Sequence, residues 1–193
     1  MAEPMIKGGV LREFVQWYEQ NHGTERLREV TRALPEDLRS YVDPYDPVVK
    51  LLAASWYPSR FCNLMLEKVA DGLTEPEVER MAYDANRWLF ARRTSSVCRF
   101  ALARLVSPEL YALSIPRLWR QLHSTGDRTI RVTGTTAEST VANWGGHHPV
   151  MCTITIETMC AVLEHMRCRG VTWRRISCVS RGGAACVTKV SWK

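Results

Sequence analysis

Three cysteines near the C-terminal end, Cys152, Cys178 and Cys186, are the residues whose type and spacing best support chemistry. The last two flank Gly182-Gly183 within Thr172 to Val190, a stretch that reads as strand, glycine turn, strand. A hairpin brings two thiols together, and a third thiol nearby supplies the donors of a metal or redox site. Register decides whether they cooperate. A two-residue loop at Gly182-Gly183 would set Cys178 opposite Val187, with the two thiols on opposite faces. An odd-length loop would set Cys178 directly against Cys186, and a metal or a disulfide needs that case. Three readings stand: buried cysteines as small hydrophobes, a structural zinc favoured by three thiolates, or redox pairing. For a metal, His148 is the expected fourth ligand, four residues before Cys152.

Other candidates are weaker. His147-His148 sits in a Gly-Gly-His-His-Pro loop with no nucleophile pattern beside it. His165 and Cys168 can meet on one helix face, but Cys160 suits core packing and His165 a solvated edge. The tryptophans and the Met159/Met166 stripe either fill a core or line an apolar ligand pocket between helix and sheet. Ile156, Met159, Cys160, Leu163, Trp144 and Trp173 would form that pocket. Arg174 and Arg175 point to opposite faces of a strand, so the arginines around them form no single phosphate-tracking patch.

Composition narrows the class. The chain has 193 residues, 46% hydrophobic, enough for a core without staples. Net charge is +6, but only five of the 26 basic residues are lysine, an arginine dominance that often reflects coding composition. Nucleic acid is therefore not the expected partner. No apolar run is long enough to span a membrane, and Met1 to Val10 lacks the order of a signal peptide. Seven cysteines without an export signal imply reduced thiols in a cytoplasmic protein. No paired carboxylates, phosphate loop or nucleophile–base motif suggests an enzyme.

The elements that must position the thiols follow from periodicity. Helices are expected over Val10–Gln20, Thr24–Leu34, Val48–Trp56 and Ser59–Ala70, with the connector Asp43-Pro44-Tyr45-Asp46-Pro47 between. Thr74-Glu75-Pro76-Glu77 is a capping box, and Val78, Met81, Ala85, Trp88 and Leu89 form a stripe behind it. Thr94–Val106 continues the helical half, and a last short helix ends near His123. Thr129–Thr133 and Ser139–Trp144 alternate as strands, Cys152–Arg167 is a helix, and the cysteine hairpin closes the chain.

That order resembles the 4-vinyl reductase domain family, on Cys152 ahead of the helix, Cys178 and Cys186 around Gly182-Gly183, and the final Val190-Ser191-Trp192. The family is related in fold to haem nitric-oxide-binding domains and to a Golgi transport subunit that holds an acyl chain. In its aromatic-sensing regulators three cysteines and a glutamate hold zinc; here the position three before Cys178 is Arg175. The haem-binding relatives use a proximal helical histidine and a Tyr, Ser and Arg constellation. Tyr111, Ser114 and Arg117 occur in that order without the alternating spacing, so haem is not expected. Trp56-Tyr57-Pro58, Glu75 to Arg93, the Leu102-to-Leu105 helix and Ile115-Pro116-Arg117-Leu118-Trp119 are similar to an uncharacterised myxobacterial family.

The expected architecture is α+β: an N-terminal helical portion packed on a small antiparallel sheet, with a long covering helix and a C-terminal β-hairpin. Residues 1–50 form a helical extension to an α+β domain over 51–193, or one compact unit with it. The expected function is a non-enzymatic regulatory or sensory module. It binds a small apolar ligand, with dimerisation implied by the resemblance, and signals through a protein partner or homodimer. The alternative is a pure protein-interaction adaptor without ligand, and a nucleic-acid-binding protein is less favoured.

Overall fold

The computed structural model describes residues 2–43, 45, 50–93 and 107–193. Its first half is helical: α1 (Gly8–His22), α2 (Thr24–Arg32), α3 (Glu36–Arg39), α4 (Ser59–Val69) and α5 (Glu75–Arg93). Thr74 caps α5 as its sequence implies, donating to Glu77 Oε2 from its amide at 2.7 Å and its hydroxyl at 2.6 Å. Further on come α6 (Pro108–Leu122), capped by Ser107, and the central α7 (Pro149–His165).

Two strands were hidden among the helices. β1 (Met5–Lys7) pairs antiparallel with β2 (Trp56–Pro58), and Ile6 bridges to His123. The expected helix over Val48–Trp56 is corrected here: its described residues form turns leading into β2. Pro58 explains the stop, since it disfavours helical geometry at Tyr57 before it. The expected Thr94–Val106 helix and most of the Asp43–Pro47 connector lie outside the described residues.

The main sheet is antiparallel, in the order β3-β4-β6-β5, from β3 (Asp127–Thr133), β4 (Thr136–Ala142), β5 (Thr172–Ser177) and β6 (Ala185–Ser191). This is the α+β architecture read from the sequence. Alternation along β4 and β6 turns Ala137, Ser139, Val141, Cys186, Thr188 and Val190 inward. One buried core runs from Ile6 and Leu11 through Phe61 and Met65 to Met159 and Val190, joining residues on both sides of position 50. α7 is apolar nearly all round. Its Ile156, Met159, Cys160 and Leu163 are packed solid in the core, whereas Ile154 and Val162 are only partly buried.

Candidate functional site

The hairpin between β5 and β6 carries its loop over residues 178–184, an odd length. A β-bulge at Ile176 shifts the register from Arg175↔Thr188 to Ser177↔Val187, which carries Cys178 opposite Cys186. The chain then makes a 3₁₀ turn over Val179–Arg181 and leaves it through Gly182 in the left-handed conformation, φ 83°. The two sulfurs are 3.6 Å apart, too far for a disulfide bond of about 2.05 Å.

Cys152 reaches the same point from the first turn of α7. The fourth group is His147, whose Nε2 lies 3.5 Å from Cys178 Sγ. The ligand atoms of His147, Cys152, Cys178 and Cys186 all lie within 4.8 Å of one another, with the three cysteines buried. A tetrahedral zinc with Zn–S near 2.3 Å and Zn–N near 2.05 Å would separate its donors by about 3.8 Å (S···S) and 3.6 Å (S···N). The observed separations of 3.6 and 3.5 Å suit that ion. Hydrogen bonds to Cys186, first from Cys152 and then from His147, outweigh burial and pull its pKa down to about 4. Cys152, donating that bond and buried, is pushed up.

The structure thus brings together the three cysteines read from the sequence, but not His148. His148 is the N-cap of α7, its carbonyl accepting from the Cys152 amide at 2.8 Å. His148 borders a cleft with Glu67, Arg175 and Cys178, and the neighbouring His147 imidazole takes the corner among the thiols. His147 is set by the Gly145-Gly146 turn, where a Cβ on Gly146 would meet Ser59 Cβ at 2.8 Å. Arg175, in the place of a ligand glutamate, points elsewhere. Its guanidinium donates to Glu75 Oε1 at 2.6 Å and Thr153 Oγ1 at 2.9 Å, and Glu75 also pairs with Arg181.

A second feature lies on the other side of α7. A cavity of about 330 Å³ opens between α1, α5, α6 and α7, within the lower range of small-molecule pockets. Phe14, Leu89, Ile115, Trp119, Ile154 and Val162 give it apolar walls. The expected pocket residues stand elsewhere: Ile156, Met159 and Leu163 fill the core, and Trp144 packs edge-on against Trp119 and His147. Cys160 and Trp173 border a different recess of about 410 Å³, where Trp173 Nε1 donates to Glu157 Oε1 at 2.5 Å.

Sequence reasoning missed the polar groups at the cavity, Arg128 and His123. Arg128 is the first inward residue of β3, in phase with Ile130 and Val132, and that parity was readable. Its Nε donates to Ser139 Oγ at 3.2 Å and an Nη to the Thr155 carbonyl at 3.4 Å. His123 lies flat on Trp119 at 3.9 Å and 17° between ring planes, with Trp144 edge-on. Its Nδ1 is buried without a partner, and burial, then Arg128, lower its pKa to about 3.

The arrangement of these helices and the sheet is that of H-NOX domains. Over 97% of its length the chain is similar to an H-NOX protein from K. algicida, at 12% identity and TM-score 0.64 over 97% of that chain. It is similar to one from S. oneidensis in the Fe(II)NO ligation state, at 13% identity and TM-score 0.61 over 99% of that chain, with 97% of this one covered. A third, from T. tengcongensis, gives 10% identity and TM-score 0.63 over 98% of that chain and 97% of this one. At such identities the likeness shows the fold alone. No family model and no curated protein matches the chain.

Haem distortion has been probed in the H-NOX family, so the cavity's fit to haem can be tested. The α6 wall offers Tyr111, Ile115, Leu118, Trp119 and Leu122 but no histidine. Tyr111 is held protonated by burial, a poor axial ligand. His123 is locked in an indole stack. Ser114 and Arg117 are exposed, so they do not converge with Tyr111. These residues do not fit a haem.

Proposed function

We propose that this protein is a non-enzymatic sensory module that buries a small apolar ligand and holds a structural zinc in a separate thiol site. The cavity carries the reading: an apolar chamber of about 330 Å³ inside a helical wall, in a fold shared with ligand-binding H-NOX proteins. An adaptor without ligand would have a filled core there. Zinc would sit between His147, Cys152, Cys178 and Cys186 and fasten the start of α7 to the β5–β6 hairpin. The ligand would bear on the other face of the same helix, and the change would pass to a protein partner or a second copy. We read residues 1–50 and 51–193 as one working unit, because α1 supplies part of the cavity wall. A kinship to the 4-vinyl reductase domain fits this reading through the thiol hairpin. No helix among the described residues is long and apolar enough to cross a membrane.

Native mass spectrometry before and after chelation tests both parts. The expected result is a mass excess of one zinc, lost with chelator and in Cys178→Ser and His147→Ala but kept in His148→Ala. An apo mass under zinc-replete expression would refute the metal site. Failure of every apolar probe to bind or raise the melting temperature would refute the ligand reading.

A further inference from the structure

The polar end of the cavity specifies more than an apolar guest. Arg128 is only 6% exposed. Its hydrogen bonds go to a hydroxyl and a peptide carbonyl, both neutral. Among the described residues it forms no ion pair. The Trp119 ring, 5.9 Å from the guanidinium carbon, is a weak substitute for an anion. Buried arginines are as a rule paired, because an uncompensated charge in a low-dielectric interior is costly. The same protein pairs another one: Arg87 reaches both Glu157 and Glu164.

Two further polar groups share the end of the cavity with Arg128. The Tyr111 hydroxyl, close enough for Arg128 to influence its ionisation, makes no hydrogen bond among the described residues. His123 contributes a buried Nδ1 without a partner. The remaining polar wall is already engaged: Asn86 donates to Ala82 and Ile154 carbonyls and accepts from Thr158. The groups that bear on the Arg128 charge are Tyr111, Cys152 and Cys160, none of them a carboxylate. The chamber therefore combines one uncompensated cation and two idle polar groups at one end with an apolar body.

We propose that the cavity binds a monocarboxylate with an apolar body, its carboxylate on Arg128 and Tyr111. This rests on the ligand-binding reading above and names the class of ligand. A guanidinium fork matches a planar carboxylate in two parallel hydrogen bonds. One cation balances one negative charge, and a phosphate dianion would leave a second charge unmatched in an apolar chamber. The carboxylate completes the charge balance of Arg128, and the tail lies against Leu89, Ile115 and Ile154.

Isothermal titration calorimetry of the full chain with decanoate and decanol at pH 7.5 tests this, since the two differ only in the charged head. Decanoate should bind at least tenfold more tightly than decanol. Arg128→Met should weaken decanoate roughly thirtyfold and leave decanol unchanged. Arg128→Lys keeps the charge without the fork and should weaken decanoate severalfold, as should Tyr111→Phe. Arg131→Met, an exposed arginine on the same strand, should change nothing. Circular dichroism melts confirm that each variant is folded, and Arg128→Lys carries the test if Arg128→Met is not. Equal binding of acid and alcohol would overturn the carboxylate proposal and leave the apolar-ligand reading standing. Binding of neither would overturn both. Hemin binding with a Soret band that His123→Ala abolishes would also overturn it, in favour of a porphyrin.

Discussion

The two long faces of α7 solve opposite problems. Its sheet-facing side is closed: Ile156, Met159, Cys160 and Leu163 are buried, and Glu157 is neutralised by Arg87 and bonded by Trp173. Its other side, with Met151, Ile154, Thr155 and Val162, borders an open chamber with a cation that has no counter-charge among the described residues. A packed face with balanced charge holds the fold, and a hollow face with unbalanced charge is what a ligand completes. The faces remain close. Arg128, Val141 and Cys186 are directly opposite one another across β3, β4 and β6, so the cavity cation and the thiol site are two strands, about 10 Å, apart.

The largest difference should appear on removing the charge of the closed face. Arg87→Met leaves Glu157, 4% exposed, without its cation. We expect a loss of about 3 kcal/mol, at the low end for a broken buried pair because the Arg87 side chain is itself 21% exposed. In a chain of this size that lowers Tm by roughly 10 °C, measurable by calorimetry. An unchanged Tm would mean the balance of charge does not distinguish the two faces.

A matched pair of deletions sharpens the contrast. Ile156→Ala on the closed face should cost about 2–4 kcal/mol by leaving a void in a packed core. Ile154→Ala, two residues away on the cavity wall, removes atoms already facing open space and should cost about 1 kcal/mol. Chemical denaturation of both variants decides it, and equal costs would contradict a hollow second face.

Acid should act through the cavity side. The folded pKa of His123 is depressed to about 3 by burial and then by Arg128, below the ordinary 6.5. The unfolded chain therefore takes up a proton below pH 6.5 that the folded chain refuses, and stability falls as pH falls from 6.5 towards 3. The slope is about 1.4 kcal/mol per pH unit, or about 2 kcal/mol by pH 5. His123→Phe keeps an aromatic ring on Trp119 and removes the titration, so its stability should be flatter over that range. An unchanged slope would assign the acid sensitivity to other groups.

Much of this was readable from the sequence, and the exceptions share a cause. The capping box at Thr74, the strands of the main sheet, the covering helix and the three thiols follow from local pattern. The bulge at Ile176 does not, because a one-residue slip leaves no mark in composition yet decides that Cys178 faces Cys186. His147 and His148 are adjacent, and only the N-cap geometry of α7 separates their roles. Which side of α7 borders the 330 Å³ cavity is not legible for a related reason: with apolar residues all round the helix, periodicity does not say which side is filled. β1 and β2 are three residues each, too short to compete with the helical pattern around them.

The smallest expected effect on stability is the most informative about design. Arg128 contributes two hydrogen bonds, at 3.2 and 3.4 Å, and a distant ring contact against the desolvation of a whole guanidinium. Burial accordingly pushes its pKa down, against Tyr111 and the thiols of Cys152 and Cys160, whereas the carboxylates around the less buried Arg87 raise that residue's pKa. Replacing a buried charge of this kind by a similar apolar volume is commonly neutral or stabilising. Arg128→Met should leave the unfolding free energy of the empty protein within about 1 kcal/mol of wild type, with any change upward, while Arg87→Met falls by about 3. A destabilisation of Arg128→Met as large as that of Arg87→Met would make Arg128 a structural residue whose hydrogen bonds suffice. A neutral result would mean the fold tolerates an arginine it does not need, and such a residue is kept for what enters the cavity.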